Sequence, residues 1–498
     1  MNKRISRVTL FSITSLVLCL CSTFAAMATT KQASQVIDKV IATYGGENLQ
    51  NIQSIEWQDQ FSSFRYGQSY RPEEIDIENN YTDVFVDFAN KRKSFRWVIG
   101  DKQSYRIRHW LFDGNTGYDI THARHSIAQN DSMSFDSADR RHSYLLDTYI
   151  IQALWINRAT ATWIGETEYL GYTHDRLLFT IAGNTEVELY IHQQSGYLSY
   201  MEKDQKNAKQ TLRYHYKSHK KQQGIVYAQQ AHLTRGGQPN RVVSSRKVVF
   251  NQQATEVFKL PSDYNEFPAT MDMSKMSVQE IAKGVYLAGQ DWGYSVFVDV
   301  GKGFIATGGY SGLSERLKAV KSFANVDKPL LKLVVSHHHI DHLGGVSEAL
   351  KLGAKLIVVE QHINSVSDEV GQELTREHID IVERISSFAD GQVVVFDLPN
   401  SHSSHNLMTY IPAAELLFTV DFYYSRQLSG SPSGGVHLEN LTNKLNTLNF
   451  SVEKFAAAHS ARVLTGDDFA TSITTIIEPV CPNDWIICHA VQTQLEEN

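Results

Sequence analysis

Four histidines and an aspartate occupy positions 337–342 of the stretch "KLVVSHHHIDHLGG", Lys332 to Gly345. Neutral imidazole and carboxylate are the usual protein ligands of zinc and related ions, and a catalytic metal site keeps one position open for water. His337 and His339, two apart, point the same way from an extended loop. Asp341 and His342 are adjacent and diverge toward a second point nearby. His338, between the first pair, is expected to point away. The pattern predicts a metal centre whose ion makes water nucleophilic near neutral pH, with Asp341 orienting that water and receiving its proton.

Such a loop needs a rigid base. "LKLVV" reads as a buried strand ending at the cluster, and "GGVSEALKLG" as the helix that follows it. Ligands of α/β folds collect at the carboxyl ends of strands, where loops turn several side chains toward one point. From "GVYLAGQDWGYSVFVDVGKGFIATGG" onward, short apolar runs alternate with amphipathic segments such as "SERLKAVKSFA". That rhythm predicts a layered α/β domain over residues 281–470.

This region resembles the metallo-β-lactamase superfamily, an αββα sandwich. The resemblance rests on "SHHHIDH", on the opening "GVYLAGQDWGYSVFVDVGKGFIATGG", and on "LPNSHSSHNLMTYIPAAELLFTVD". It implies one metal held by His337, His339 and His402, the last lying ten residues before Pro412. It implies a second held by Asp341, His342 and Asp467, with Asp421 bridging. Asp467, in "RVLTGDD", stands where relatives carry a histidine, so one ion or two are both consistent with the residues. Ala306 replaces the usual aspartate of "IATGG", and Val420 the glycine before Asp421. The implied cofactor is Zn2+, with iron or manganese as alternatives, and the implied reaction is hydrolysis of an ester, lactone, amide or thioester of a small-molecule substrate. An iron-dependent sulfur oxygenase of the same fold, and a lipid- or ligand-binding protein with a catalytically weak metal site, are the competing readings.

Other histidines carry weaker expectations. His405 is open between a substrate contact, a second-site ligand and an exposed residue. His437 sits on a Gly/Ser-rich loop and His459 ends what reads as an apolar helix; neither is assigned a role. His122 and His125, in "ITHARHSIAQ", lack an acidic partner at ligand spacing and are expected at the surface.

Residues 29–270 read differently. "KQASQVIDKVIATYGG" has helical spacing and stops at a glycine pair, after which period-two patterning with Gly, Asn and Asp at the turns predicts a mostly antiparallel sheet with one helix against it. "YGGENLQNIQSI" and "VVFNQQATEVFKLPSDY" resemble the LolA-type lipoprotein carriers. That resemblance implies a half-barrel with a cleft for a lipid or acyl ligand. Residues 271–280 are expected to form a linker, and 471–498 a C-terminal tail.

The chain has 498 residues, of which 42% are hydrophobic and 20% charged, and a formal charge of −7. The composition is globular, and the acidic balance argues against a nucleic-acid partner. Lys3, Arg4 and Arg7 precede an apolar run that finishes on Ala26-Met27-Ala28, the pattern of a signal peptide over 1–28. This predicts a periplasmic or secreted protein with no membrane span after cleavage. Cys481 and Cys488 would then remain and are expected to pair.

Overall fold

The computed structural model describes residues 31–100, 105–183, 185–203, 210–253, 256–434, 436–475, 485 and 487. The expected signal peptide and the Cys481 and Cys488 pair lie outside these residues, as does the side chain of His437. The chain divides into two compact units. Met1–Phe64, Glu78–Asn265 and Pro479–Asn498 form the first; Arg65–Ile77 and Glu266–Glu478 form the second. The change of unit at 265/266 lies close to the composition shift. The two excursions, at 65–77 and after 478, carry no such signal.

In the first unit a 14-stranded sheet runs as an antiparallel meander in which Ser54–Arg65 pairs with the last long strand, Gln238–Phe250. Two helices of more than one turn pack against this sheet, rather than the single one expected. They span 31–44 and Asp147–Ile156. The second is almost wholly buried, so its sequence, "DTYIIQALWI", is apolar nearly all round and lacks the period that marks a surface helix. Val36, Val40, Ile41 and Tyr44 of one helix, with Ile150, Ile151 and Leu154 of the other, join the sheet residues Trp57, Phe61, Leu177 and Leu189 in one core. Beside the helices lies a cavity of about 630 Å³ lined by Ile37, Asp38, Trp155, Ile156 and Arg158. His122, expected at the surface, is buried with its ring 3.0 Å from His109 and 2.8 Å from the Tyr264 hydroxyl, whereas His125 is exposed.

The second unit is a four-layer sandwich. Its seven-stranded sheet begins with Ser277–Ala282, Val285–Gln290, Gly293–Asp299 and Phe304–Thr307, each antiparallel to the one before. It continues through the parallel strands Leu330–Val334, Lys355–Val358 and Ile379–Ile381. The six-stranded sheet runs from Ile385–Phe388 to Ser460–Thr465. Period-two alternation explains the layering, because the inner strands, such as Val285–Gln290, Phe304–Thr307 and Leu407–Ile411, are buried on both faces, whereas the edge strands Ser277–Ala282 and Ile385–Phe388 are not. Val334 and Ile357 point between the sheets toward Val395, Leu416 and Phe418. Their neighbours Leu333, Val335, Leu356 and Val358 meet Leu317, Val320, Val346 and Ala349 of the outer helices. Leu417 and Phe455 of the other sheet face Leu441, Leu445 and Phe469 in the same way.

The expected linker is built into this unit. Met273 is buried between the sheets, Met271 donates its N–H to the Arg426 carbonyl, and the first strand begins at Ser277. Polar composition concealed a segment that places Met273 in the core and packs Met271 against it.

Candidate metal centre

Four segments deliver donors from strand ends, and a fifth supports them. Leu330–Val334 leads into Ser336–His342, Val393–Asp397 into His402, Leu416–Phe418 into Asp421, and Lys454–Ala457 into His459, while the loop 65–77 comes from far earlier in the chain. The loop after Leu330–Val334 is tied to the second sheet where Leu407 donates its N–H to the Ser336 carbonyl at 2.7 Å.

Two groups of donors form. His337, His339, His402 and Asp421 bring ligand atoms within 4.8 Å of one another, and so do Asp341, His342 and His459. In the first, Nε2 of His402 is 3.2 Å from Nε2 of His337 and 2.9 Å from Oδ2 of Asp421. Tetrahedral bonds to zinc of about 2.05 Å place neighbouring donors about 3.3 Å apart, so these spacings suit one ion. Asp421 reaches the other group with Oδ1, 3.0 Å from Nε2 of both His342 and His459. That oxygen is buried and has no partner in hydrogen-bond geometry, as a carboxylate facing a cation would.

Hydrogen-bond partners outside the donor groups select the imidazole tautomers. Nε2–H of His339 donates to the Ser69 carbonyl at 2.9 Å, which leaves the buried Nδ1 without a partner and its lone pair toward the group. Nδ1–H of His459 donates to the Trp292 carbonyl at 2.7 Å, aiming Nε2 at Asp421. Nδ1 of His337 lies 3.2 Å from the Ser336 hydroxyl, leaving Nε2 inward. Burial and then the His342 charge hold the His337 imidazole well below its usual range; burial and then His402 hold His339 at about 3. Both are therefore neutral at pH 7, the form that ligates. Burial alone would raise the Asp421 carboxyl, but the His342 charge and the contacts of His342, His402 and His459 outweigh it and hold it well below the carboxylate range. For His459 burial lowers the imidazole, and Asp421 more than offsets this, for a net rise. The donor set and its orphaned buried atoms fit a metal ion.

Asp467 is not in either group. It is exposed in the first turn of the helix Gly466–Thr474, whose N-terminus Thr465 and Asp468 close as a capping box. A carboxylate there is favoured by the helix dipole, which accounts for the acidic pair without a metal. His459 fills the place, on the turn between Lys454–Ala457 and Ser460–Thr465 rather than at a helix end. The "FAAAHS" run, expected to be an apolar helix, is the strand Lys454–Ala457 and the turn after it, because periodicity alone does not separate a short buried strand from a buried helix. Val420, the residue before Asp421, is buried with φ 59°, a conformation costly for a β-branched side chain and natural to the glycine that it replaces.

His338 does not join the donors but is buried, its Nε2 on the Ser69 carbonyl at 2.9 Å. Its ring lies 5.4 Å from that of His362, which is fully buried with neither ring nitrogen partnered. His405 pairs its Nδ1 with Asp397 at 2.7 Å. Tyr310, singled out by no motif, packs edge-on against His342 and His459 at 5.8 and 5.6 Å. Burial and the charges of Asp341 and Asp421 push its phenol up to about 12, so it stays a neutral donor.

Fold and site together define a layered α/β protein with a histidine- and carboxylate-rich cluster, able to hold metal, at its strand ends. No protein-family model matches the chain, and no curated protein matches it. Solved structures similar to part of it are metallo-β-lactamases. The DIM-1 enzyme is 14% identical over 40% of this chain and 96% of its own, with a TM-score of 0.32. FIM-1 from Pseudomonas aeruginosa in its mono-zinc form is 16% identical over 41% and 96%, with a TM-score of 0.33. The enzyme from Pontibacter korlensis is 15% identical over 40% and 98%, with a TM-score of 0.32. At such identities and scores the side chains alone carry the functional reading.

Proposed function

We propose that the second unit is a metal-dependent hydrolase that cleaves an ester, lactone, amide or thioester bond in a small-molecule substrate. The observation that carries this reading is the convergence of His337, His339, His402 and Asp421, with Asp341, His342 and His459 beside them. When bound, zinc or a related ion supplies Lewis acidity and a water acidified to near neutrality. His337, His339 and His402 would hold one ion, Asp341, His342 and His459 a second, and Asp421 would face both. Asp341, whose side chain is about a third exposed (31%), is the carboxylate best placed to orient water and take up its proton. Neutral Tyr310 offers a hydrogen bond from the side of His342.

The same proposal extends to two expectations about the rest of the chain. Export rests on the pattern of residues 1–28. An acyl ligand in the first unit would have the 630 Å³ cavity beside its helices as the place to look. Metal analysis of purified protein, followed by a screen of ester, lactone, thioester and amide substrates with His337→Ala as control, tests the main reading. We expect zinc in the protein and hydrolysis lost in the variant. Protein that takes up no zinc, iron or manganese, or activity that survives His337→Ala, would overturn it.

A further inference from the structure

Residues 67–70 touch both ligand loops within the second unit. Gln68 donates from Nε2 to Oδ1 of Asp341 at 2.7 Å. The Ser69 carbonyl accepts from Nε2 of both His338 and His339 at 2.9 Å, using its two lone pairs. The Gly67 carbonyl accepts from the Ile340 N–H at 3.0 Å, and the Tyr70 carbonyl from the Ser404 N–H at 2.8 Å. Four consecutive residues thus bind the 337–342 loop and the 402–405 loop. The approach is close: Gly67 has φ 62°, and a Cβ there would lie 2.4 Å from Cγ2 of Ile340. The segment is stiffened from within, since Asp76 Oδ2 accepts from the Tyr70 N–H and the Ser69 hydroxyl donates to the Arg71 carbonyl, both at 2.6 Å.

We propose that residues 67–70 are a positioning strap for the metal centre, in which the Gln68 amide fixes Asp341 and the Ser69 carbonyl fixes the tautomer of His339. This rests on the metal-dependent reading above. A neutral amide suits the task. It occupies Oδ1 of Asp341 and leaves Oδ2, 3.7 Å from Nε2 of His342, facing the second donor group, and it adds no charge and does not titrate. Partners that orient ligating carboxylates and imidazoles typically contribute 10- to 100-fold in metal affinity. Gln68 is a positioning residue, since it touches Asp341 and not the ion or substrate.

The test uses the full-length protein with Gln68→Met, which keeps the length and removes the donor, and Gln68→Glu, which sets a carboxylate against Asp341. Zinc affinity is measured by competition with a chelator, and the Co(II)-substituted protein is followed by its visible d–d bands. We expect the weaker ion to lose 10- to 100-fold in affinity in Gln68→Met and more in Gln68→Glu. The bands of the tighter, histidine-rich ion should stay unchanged, as should unfolding of the metal-free protein. Unchanged affinity for both ions in Gln68→Met, with wild type holding two, refutes the strap and leaves the hydrolase reading intact. So does a wild type that holds one ion whose affinity Gln68→Met does not alter. A uniform loss of both ions together with lower apo stability also refutes it, because the role would then be structural. Wild type that binds neither zinc nor cobalt overturns the hydrolase reading and the strap with it.

Discussion

Replacing His459 by alanine separates the donor groups that the structure brings together from the ligand set that the family resemblance implied. The second donor group consists of Asp341, His342 and His459, with Oδ1 of Asp421 facing it, so the substitution leaves two carboxylates and one imidazole. Losing a donor should weaken that ion at least as much as losing a group that merely holds one, at the upper end of 10- to 100-fold. At free zinc 100-fold above the dissociation constant, an intact site stabilises the fold by about 2.7 kcal/mol. A 100-fold weaker site under the same conditions contributes about 0.4 kcal/mol by the same relation. The difference, about 2.3 kcal/mol, corresponds to a fall of roughly 5–9 °C in Tm for a domain of about 150–250 residues. The assay is differential scanning calorimetry at fixed free zinc, beside metal counting on wild type, His459→Ala and Asp467→Ala. We expect two ions in wild type and in Asp467→Ala, and between one and two in His459→Ala, whose weakened site is about half-filled at that free zinc, with the Tm loss confined to His459→Ala and abolished in EDTA. If His459→Ala keeps two ions while Asp467→Ala drops to one, the assignment of His459 is wrong.

Other outcomes follow from the buried polar groups. Burial, and then the charges of His338 and His405, hold His362 at about 3, against about 6.5 in an unfolded chain. The folded state binds fewer protons between those values, so this stabilisation is complete above about pH 6.5 and declines as pH falls toward 3. About 2 kcal/mol is lost by pH 5, and metal-free His362→Leu should show a flatter stability profile in urea titrations over pH 5–7. In the first unit Arg246 clamps Asp59 at 2.7 Å through two nitrogens, with both side chains fully buried. Arg246→Met strands that carboxylate and should cost about 3–5 kcal/mol in chemical denaturation, whereas Asp59→Leu combined with Arg246→Met should recover most of the loss. Against the burial that would raise it, Arg246 and His142 lower the Asp59 carboxyl to about 2. The stabilisation from this pair is therefore present above about pH 4 and disappears as pH falls through 2, which acid unfolding of the double variant, lacking that step, would reveal.

Much of the site was legible because it is local. His337, His339, Asp341 and His342 share one loop, and their spacing alone decides which can face a common point. His402 and Asp421 were reached only through family resemblance, since each is a single residue in its segment. His459 was missed, and Asp467 expected in its stead, because one-dimensional spacing cannot distinguish a strand-end histidine from an aspartate in the first turn of the helix that follows. Likewise the helix Asp147–Ile156 escaped notice because a helix buried all round has no polar face to mark its period.

What the sequence determined by itself was the alternation of buried strands with amphipathic helices, the antiparallel patterning of the first half, and the chemistry of the histidine loop, since these depend on residues within one or two turns of one another. Tertiary structure alone decided which distant groups complete the site. Gln68 is 273 positions from Asp341, and the Ser69 contribution is a backbone carbonyl that any residue type carries. Such contacts are specified by how strands and loops pack in three dimensions, and composition holds no record of them.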